Sequence, residues 1–129
     1  MNQDLHSIAQ AMVRDGQGIL AADESTGTIK KRFDSIGVES TADTRRDYRE
    51  MLFSAEDAMT NYISGVILFE ETLMQDDSNG NPLIDYLHKH DAVVGIKVDK
   101  GAKPLALNST EKVTEGLDGL RARLAAYHD

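Results

Sequence analysis

Two carboxylates beside two hydroxyl-bearing residues are the part of this sequence best suited to chemistry. Asp23 and Glu24 follow the apolar run Gly18–Ala22, and Ser25 and Thr28 lie where a helical pattern opens. In parallel α/β folds, ligands bind where the strands end. Carboxylates exchange protons with substrate hydroxyls, and the start of a helix binds phosphate. The pattern therefore predicts a site for a phosphorylated metabolite at the end of a first strand.

A lysine inside the apolar alternation of residues 93–99 supplies a positive charge for such a site. Lys97 shares a strand face with Gly95 and Asp99, and lysine is rare in buried strands. Alternate strands of a closed barrel contribute to the same interior layers, so we expect Asp23 on the first strand and Lys97 on the third to form an ion pair. The alternative is that Lys97 extends to solvent at the rim.

The other site candidates also have purely structural interpretations. Asp23 is suited to capping a helix, and Glu24 is an acid of the kind common in a first helical turn. Ser25 and Thr28 are equally suited to capping. These alternatives stay open at the level of sequence.

Arg32 belongs to the basic cluster 30–32, a pattern typical of a solvated helix face. It is the best suited of the three to phosphate, because a guanidinium binds such oxygens bidentately. The four histidines show no spacing typical of metal ligands, and the acidic pairs lack a calcium-loop pattern. We therefore expect no metal.

Charge and composition narrow the class of protein. The chain has 129 residues, 40% of them hydrophobic and 28% charged, which is typical of a folded globular chain. A net charge of −8 disfavours nucleic acid and anionic membranes as partners. There is no cysteine, no apolar run of membrane-spanning length and no evident signal peptide, so a cytoplasmic location is expected.

The order of the predicted elements indicates a parallel sheet. Helical patterns cover residues 5–13, 29–36, 44–59, 81–90 and 117–127, strand patterns cover 18–22, 65–69 and 93–99, and 101–109 is predicted as a loop. Strands separated by helices imply right-handed crossovers. Three apolar strands leave both sheet edges open, so the chain is expected to be the front of a larger barrel or sheet, with no internal domain boundary.

Five segments in order along nearly the whole chain resemble class I fructose-bisphosphate aldolase: GILAADESTG at 18–27, RRDYR at 45–49, GVILFEETL at 65–73, VGIKVDKG at 94–101 and EGLDGL at 115–120. The resemblance implies a (β/α)8 barrel, of which residues 1–129 form the N-terminal third with the first three strands. It also implies a cytoplasmic homotetramer. The implied activity is that of a glycolytic and gluconeogenic lyase, which cleaves fructose 1,6-bisphosphate reversibly into dihydroxyacetone phosphate and glyceraldehyde 3-phosphate through a lysine Schiff base without metal or other cofactor.

The same resemblance implies roles for individual residues. Asp23 resembles the catalytic aspartate that handles protons near the reacting hydroxyl, and Lys97 a lysine that serves both catalysis and phosphate binding. Ser25, Thr28 and Arg32 resemble substrate-binding positions, although the family generally has serine where Thr28 stands.

The resemblance also places the Schiff-base lysine and the general acid/base glutamate of the family on later strands. We therefore expect this chain to be inactive by itself. Two alternatives remain: the start of another phosphosugar-binding barrel enzyme, or a non-catalytic interaction fragment.

Overall fold

Apolar segments alternate with helices over the first three quarters of the chain, and they build a three-stranded parallel sheet. The computed structural model describes residues 4–128, apart from the side chain of Ser109. It contains two compact units, Met1–Ile96 and Lys97–Asp129. The first contains α1 (Leu5–Met12), β1 (Gly18–Ala22), α2 (Thr26–Asp34), α3 (Ala42–Phe53), α4 (Glu56–Tyr62), β2 (Ile63–Leu68), α5 (Glu70–Leu73), α6 (Ile84–Lys89) and β3 (Val93–Ile96).

The three strands lie in the order β1-β2-β3, and both pairings are parallel. Ala22 pairs with Leu68 and Leu68 with Ile96, so the strands end side by side. Because β1 and β2 end at the same edge, the segments that follow them emerge together. Parallel order with helical connections confirms the prediction from the sequence.

The core of this unit lies between the sheet and its helices. Phe53 and Met59 from the helices pack with Val66 and Leu68 of β2 and with Leu87 of α6, and each is at most 1% exposed. From Gly65 to Leu68, β2 is apolar on both faces, which is typical of a strand covered on both sides. This packing fixes the strand ends that carry the candidate site.

The prediction of one continuous helix over residues 44–59 is wrong. The helical pattern over 44–59 is divided into α3 and α4, because Ala55 has ψ 77° and leaves the helical region. The Ser54 hydroxyl donates to the Met51 carbonyl at 3.3 Å, a local bond of the kind that ends helices. Met51, an apolar residue of this helical pattern, is 61% exposed.

The second unit holds β4 (Ala102–Leu105), β5 (Asn108–Thr114) and α7 (Leu120–His128). β4 and β5 form an antiparallel hairpin, so the prediction of a loop over 101–109 is wrong. The sequence signal was weak because the turn is Ala106-Leu107 rather than Asn-Gly, with Leu107 at φ 61°, and because Pro104 lies within β4.

The third strand is shorter than predicted. The alternation of residues 93–99 suggested one continuous strand, but β3 ends at Ile96, and Lys97 lies just beyond it. The backbone after Ile96 makes hydrogen bonds outside the sheet. The Gly101 amide donates to the Asp99 carboxylate at 2.9 Å, and Arg123 donates to the Val98 carbonyl at 3.0 Å. Lys97 therefore belongs to a segment after the strand end.

Candidate functional site

The turn between β1 and α2 carries the two carboxylates that the sequence pattern singled out. β1 ends at Ala22, Asp23 and Glu24 follow, and Ser25 is the residue before α2. The Glu24 side chain is only 9% exposed. The interpretation of Glu24 as an acid of a first helical turn is therefore wrong, because Glu24 lies before the helix, which starts at Thr26.

A buried arginine holds Glu24. Arg49 of α3, with a side chain 3% exposed, contacts the Glu24 carboxylate through Nη1 and the Glu24 carbonyl oxygen through Nη2 at 3.1 Å. Its Nε donates to Thr72 Oγ1 at 3.3 Å, and its guanidinium lies 5.3 Å from the centroid of the Tyr48 ring. The guanidinium therefore joins the end of β1 to α5, the helix after β2.

The pair was missed at the level of sequence. Its partners lie 25 residues apart, and no local pattern indicates the burial of Glu24. The feature that could have indicated the pair is on α3. Its buried residues are Arg49 and Phe53, which lie four positions apart on one face of the helix. An arginine on the buried face of a helix indicates a buried acid nearby, since an unpaired charge there costs several kcal/mol, on the order of 3–5.

Arg32 approaches the same carboxylate from the solvent side. Its Nη1 contacts the Glu24 carboxylate and donates to the Tyr48 hydroxyl at 3.3 Å, while 55% of its side chain is exposed. The charge of Glu24, followed by the bond to Tyr48, raises the pKa of Arg32 above its usual value. Unlike its neighbour Lys30, which pairs with Asp34 on the exposed helix face, Arg32 belongs to the Glu24 cluster.

Opposing forces act on the protonation of Glu24. Burial opposes ionisation, but the hydrogen bond from its own backbone amide, the hydrogen bond and charge of Arg49, and the charge of Arg32 outweigh it. The pKa of Glu24 is therefore lower than usual. The carboxylate is ionised at neutral pH and links two guanidiniums.

This shift predicts a loss of stability in acid. A carboxyl whose pKa is depressed by folding stabilises the folded state above its unfolded pKa, and the contribution is lost as pH falls through the folded value. Urea unfolding at pH 6 and below pH 4 measures it. Glu24→Gln should be less stable than the parent at pH 6, and the difference should shrink in acid. A constant difference between the two proteins would contradict the assignment.

Ser25 and Thr28 contact each other at the start of α2. Their hydroxyl oxygens lie 3.1 Å apart, and the Ser25 side chain makes no capping bond to the helix. The amides of Thr28 and Ile29 donate to the Ser25 carbonyl instead. Ser25 therefore occupies the N-cap position of α2 without capping the helix through its side chain, and two hydroxyls stand side by side at the helix start.

Lys97 and Asp99 form an ion pair in the second unit. Lys97 Nζ contacts the Asp99 carboxylate, and the two side chains are 27% and 33% exposed. The hydrogen bond from Lys97, followed by that from the Gly101 amide, lowers the pKa of Asp99. The ion pair between Lys97 and Asp23 stays a prediction, because the two residues belong to different units.

Gly116 and Arg123 hold the segment that carries this pair. Arg123 donates to the carbonyls of Val98 and Gly116, at 3.0 and 2.6 Å. A Cβ on Gly116 would lie 2.9 Å from both Asp99 Cα and the Val98 carbonyl oxygen. The close approach requires glycine at this position.

Residues 4–128 contain neither a candidate metal site nor a candidate membrane span. In that part of the chain, no three His, Cys, Asp or Glu side chains lie together in a group that could hold a metal ion. No helix there combines the length and apolar character that crossing a bilayer requires.

Comparison with known proteins identifies the family. The profile of the family described as Fructose-bisphosphate aldolase class-I matches residues 4–129. A Xanthomonas campestris protein named probable fructose-bisphosphate aldolase class 1 is 53% identical over 126 residues, which cover 98% of this chain and 37% of the relative. Fructose-bisphosphate aldolase 1 of Toxoplasma gondii is also 53% identical, over 98% of this chain and 35% of its own length.

A solved structure agrees with these relatives. The fructose-bisphosphate aldolase of Plasmodium falciparum, crystallised with TRAP and a small-molecule inhibitor, superimposes with a TM-score of 0.90 at 49% identity, over 95% of this chain and 35% of that one. The chain thus spans about a third of the length of the relatives it matches. Sequence and structure together confirm that it belongs to the class I fructose-bisphosphate aldolase family.

Proposed function

We propose that this chain is a segment of a class I fructose-bisphosphate aldolase, a lyase of glycolysis and gluconeogenesis. The enzyme would cleave fructose 1,6-bisphosphate reversibly into dihydroxyacetone phosphate and glyceraldehyde 3-phosphate. The observation that carries this proposal is the family match over residues 4–129. It is supported by a strand end at which two arginines bind Glu24, the residue between Asp23 and Ser25.

The fold proposal follows from the sheet. Three parallel strands in sequential order, with helices between them, are what the first third of a (β/α)8 barrel requires. We propose that residues 1–129 belong to one barrel domain without an internal boundary, and that further strands pair beside β1 and β3. The intact enzyme is proposed to be a cytoplasmic homotetramer without nucleic acid or membrane partners.

The residue roles are proposed from the family and supported by the local geometry. Asp23 would handle a proton of the substrate hydroxyl, as a carboxylate at a strand end can. The paired hydroxyls of Ser25 and Thr28 would donate to a phosphate at the start of α2. Arg32 would add a guanidinium, and Lys97 would balance the phosphate charge and assist catalysis.

Lys97 is not proposed as the Schiff-base nucleophile. That reaction needs a neutral amine to attack the ketone, with later loss of water and transfer of electrons into the iminium. The Lys97 Nζ is engaged in an ion pair with the Asp99 carboxylate, so it is not positioned to attack a ketone. We propose that a lysine outside this chain forms the Schiff base, that no metal takes part, and that the 129-residue chain alone is inactive.

A chimera tests the activity. This chain would replace the matching segment of the Xanthomonas campestris relative, and cleavage of fructose 1,6-bisphosphate would be followed by coupled oxidation of NADH. We expect cleavage that is abolished in a chimera whose Asp23 is changed to alanine. A folded chimera without activity, or one that cleaves only a different sugar phosphate, would contradict the proposal.

Lys97→Met in this chimera is expected to raise the KM for fructose 1,6-bisphosphate by about 10-fold or more, because a charge-assisted bond to phosphate is worth roughly 1.5–3 kcal/mol. Lys103→Met removes an exposed lysine of β4 and serves as the matched control. Equal KM values for the two variants would remove Lys97 from the substrate site.

Reduction with borohydride in the presence of dihydroxyacetone phosphate tests the inactivity of the isolated chain. We expect no increase in mass, whereas an intact class I relative treated in parallel should gain a stable adduct. An adduct on the 129-residue chain that disappears in Lys97→Met would show that Lys97 is a nucleophile after all.

A further inference from the structure

Arg49 contacts the β1–α2 turn at two points on a single residue. One guanidinium nitrogen binds the Glu24 carboxylate and the other binds the Glu24 carbonyl oxygen. We propose that Arg49 is a positioning residue, which fixes Glu24 and thereby orients its neighbours Asp23 and Ser25 for the cleavage reaction. The catalytic part of this inference rests on the proposed function.

The two contacts of Arg49 with Glu24 restrain the β1–α2 turn more than a single contact would. The Glu24 carbonyl belongs to the planar peptide that leads to Ser25, so fixing this oxygen fixes the orientation of that whole plane. The contact with the carboxylate fixes the side chain of Glu24 as well. Few backbone rotations then remain between Asp23 and the first residue of α2.

Arg49 is itself held rigidly. Its third donor, Nε, binds Thr72 Oγ1 at 3.3 Å, and Thr72 is 2% exposed. The Tyr48 ring lies against the guanidinium at 5.3 Å. The position of Arg49 therefore depends on α5, the helix that follows β2, and one side chain links the segments that follow two adjacent strands.

Stability alone does not account for such an arrangement. Buried ion pairs are often no more stabilising than well-packed apolar side chains of similar volume. An apolar residue at position 49 would fill the space but would leave both the carboxylate and the carbonyl of Glu24 without this donor. The geometry is suited to fixing an orientation, and a planar fork is the group that does so with least loss of entropy.

Arg45 offers a matched control on the same helix, one turn earlier. It binds Glu71 through two bonds of 2.7 Å each, and its side chain is 13% exposed. Arg45 and Glu71 therefore form a second, largely buried ion pair that attaches α3 to α5. Glu71 is not part of the β1–α2 turn. Loss of Arg45 tests what the removal of such a pair does to the protein in general.

The kinetic test uses the chimera described above with Arg49→Met, Arg49→Lys and Arg45→Met. We expect Arg49→Met to lower kcat by about 100-fold with a smaller change in KM, since a displacement of about 1 Å in a reacting group has this effect. Arg49→Lys should restore little, because an ammonium is not a planar fork. Arg45→Met should keep kcat within about threefold of the parent.

Three outcomes of the kinetic test would overturn the inference. The first is a folded Arg49→Met protein with the parent kcat. The second is full kcat in Arg49→Lys, which would show that charge alone suffices. The third is an equal loss of kcat in Arg45→Met. If Arg49→Met does not fold, the kcat of Arg49→Lys alone decides whether Arg49 is a positioning residue.

Amide hydrogen exchange gives a second result that does not depend on activity. In the same chimera, Arg49→Lys should accelerate exchange at residues 22–28 by about 10-fold, while Arg45→Met leaves those residues unchanged. Unchanged exchange in Arg49→Lys would overturn the positioning role. A parent chimera that fails to cleave substrate would reject the proposed function, and the exchange result would still decide the role of Arg49.

Discussion

Glu24→Ala is expected to lower the free energy of unfolding by about 3–5 kcal/mol, because it leaves the charge of Arg49 buried without its partner. The Glu24 side chain is 9% exposed and that of Arg49 is 3% exposed, so little water reaches the intact pair. The substitution also removes an acceptor of Arg32. Urea unfolding of the 129-residue chain, followed by circular dichroism, measures the change, and complete loss of the cooperative transition is the extreme result.

An exposed pair provides the control for Glu24→Ala. Glu56 and Lys89 lie 3.4 Å apart with side chains 71% and 61% exposed. Glu56→Ala is expected to cost less than about 1 kcal/mol, as surface ion pairs do. Glu24→Gln should fall between the two, because an amide oxygen still accepts hydrogen bonds but carries no charge. Similar losses for Glu24→Ala and Glu56→Ala would show that the buried pair is not a major determinant of stability.

Local patterns predicted the parts of the fold that depend on short stretches of sequence. The predicted β1 over residues 18–22 has the observed bounds, since its apolar run stands between glycine and two acids. The predicted helix after Asn81 instead begins at Ile84. There, the Asp77 carboxylate accepts bonds from the amides of Asn79 and Asn81, at 2.8 Å each, and holds this segment in a turn. These short-range bonds from a side chain to the backbone form a turn, and the turn overrides the capping pattern of Asn81 and Pro82.

In the candidate site, too, the sequence predicted local features and missed contacts between distant residues. Sequence analysis found the residues of the β1–α2 turn, because their types and spacing are local. It did not find Arg49, which reaches Glu24 across 25 residues of chain. It also extended β3 through Lys97, whereas a donor at Arg123, again 25 residues away, binds the Val98 carbonyl. Contacts between distant residues decided both cases, and such contacts leave no periodic signal.

Gly116→Ala is expected to lower the stability of the second unit by about 2–5 kcal/mol, since it combines a steric clash with backbone strain. The new Cβ would lie 2.9 Å from two backbone atoms, Asp99 Cα and the Val98 carbonyl oxygen, and Gly116 has φ +151°. Backbone atoms cannot rotate away as a side chain can. The segment between Lys97 and Gly101 must then move, which disturbs the Lys97–Asp99 pair.

Two hydrogen bonds report this movement directly. The Lys100 amide donates to the Glu115 carbonyl at 2.8 Å, and the Glu115 amide donates to the Gly101 carbonyl at 3.1 Å. Hydrogen exchange at both amides should accelerate in Gly116→Ala.

Gly119→Ala separates the clash from the strain, because Gly119 has φ +67° but no heavy atom within 4 Å of a built Cβ. It should cost only the strain of about 1–2 kcal/mol. Equal costs at positions 116 and 119 would show that the close approach of Gly116 to Asp99 is not what requires glycine. A larger cost at 116, with faster exchange confined to Lys100 and Glu115, would tie that glycine to the geometry of the segment that carries Lys97.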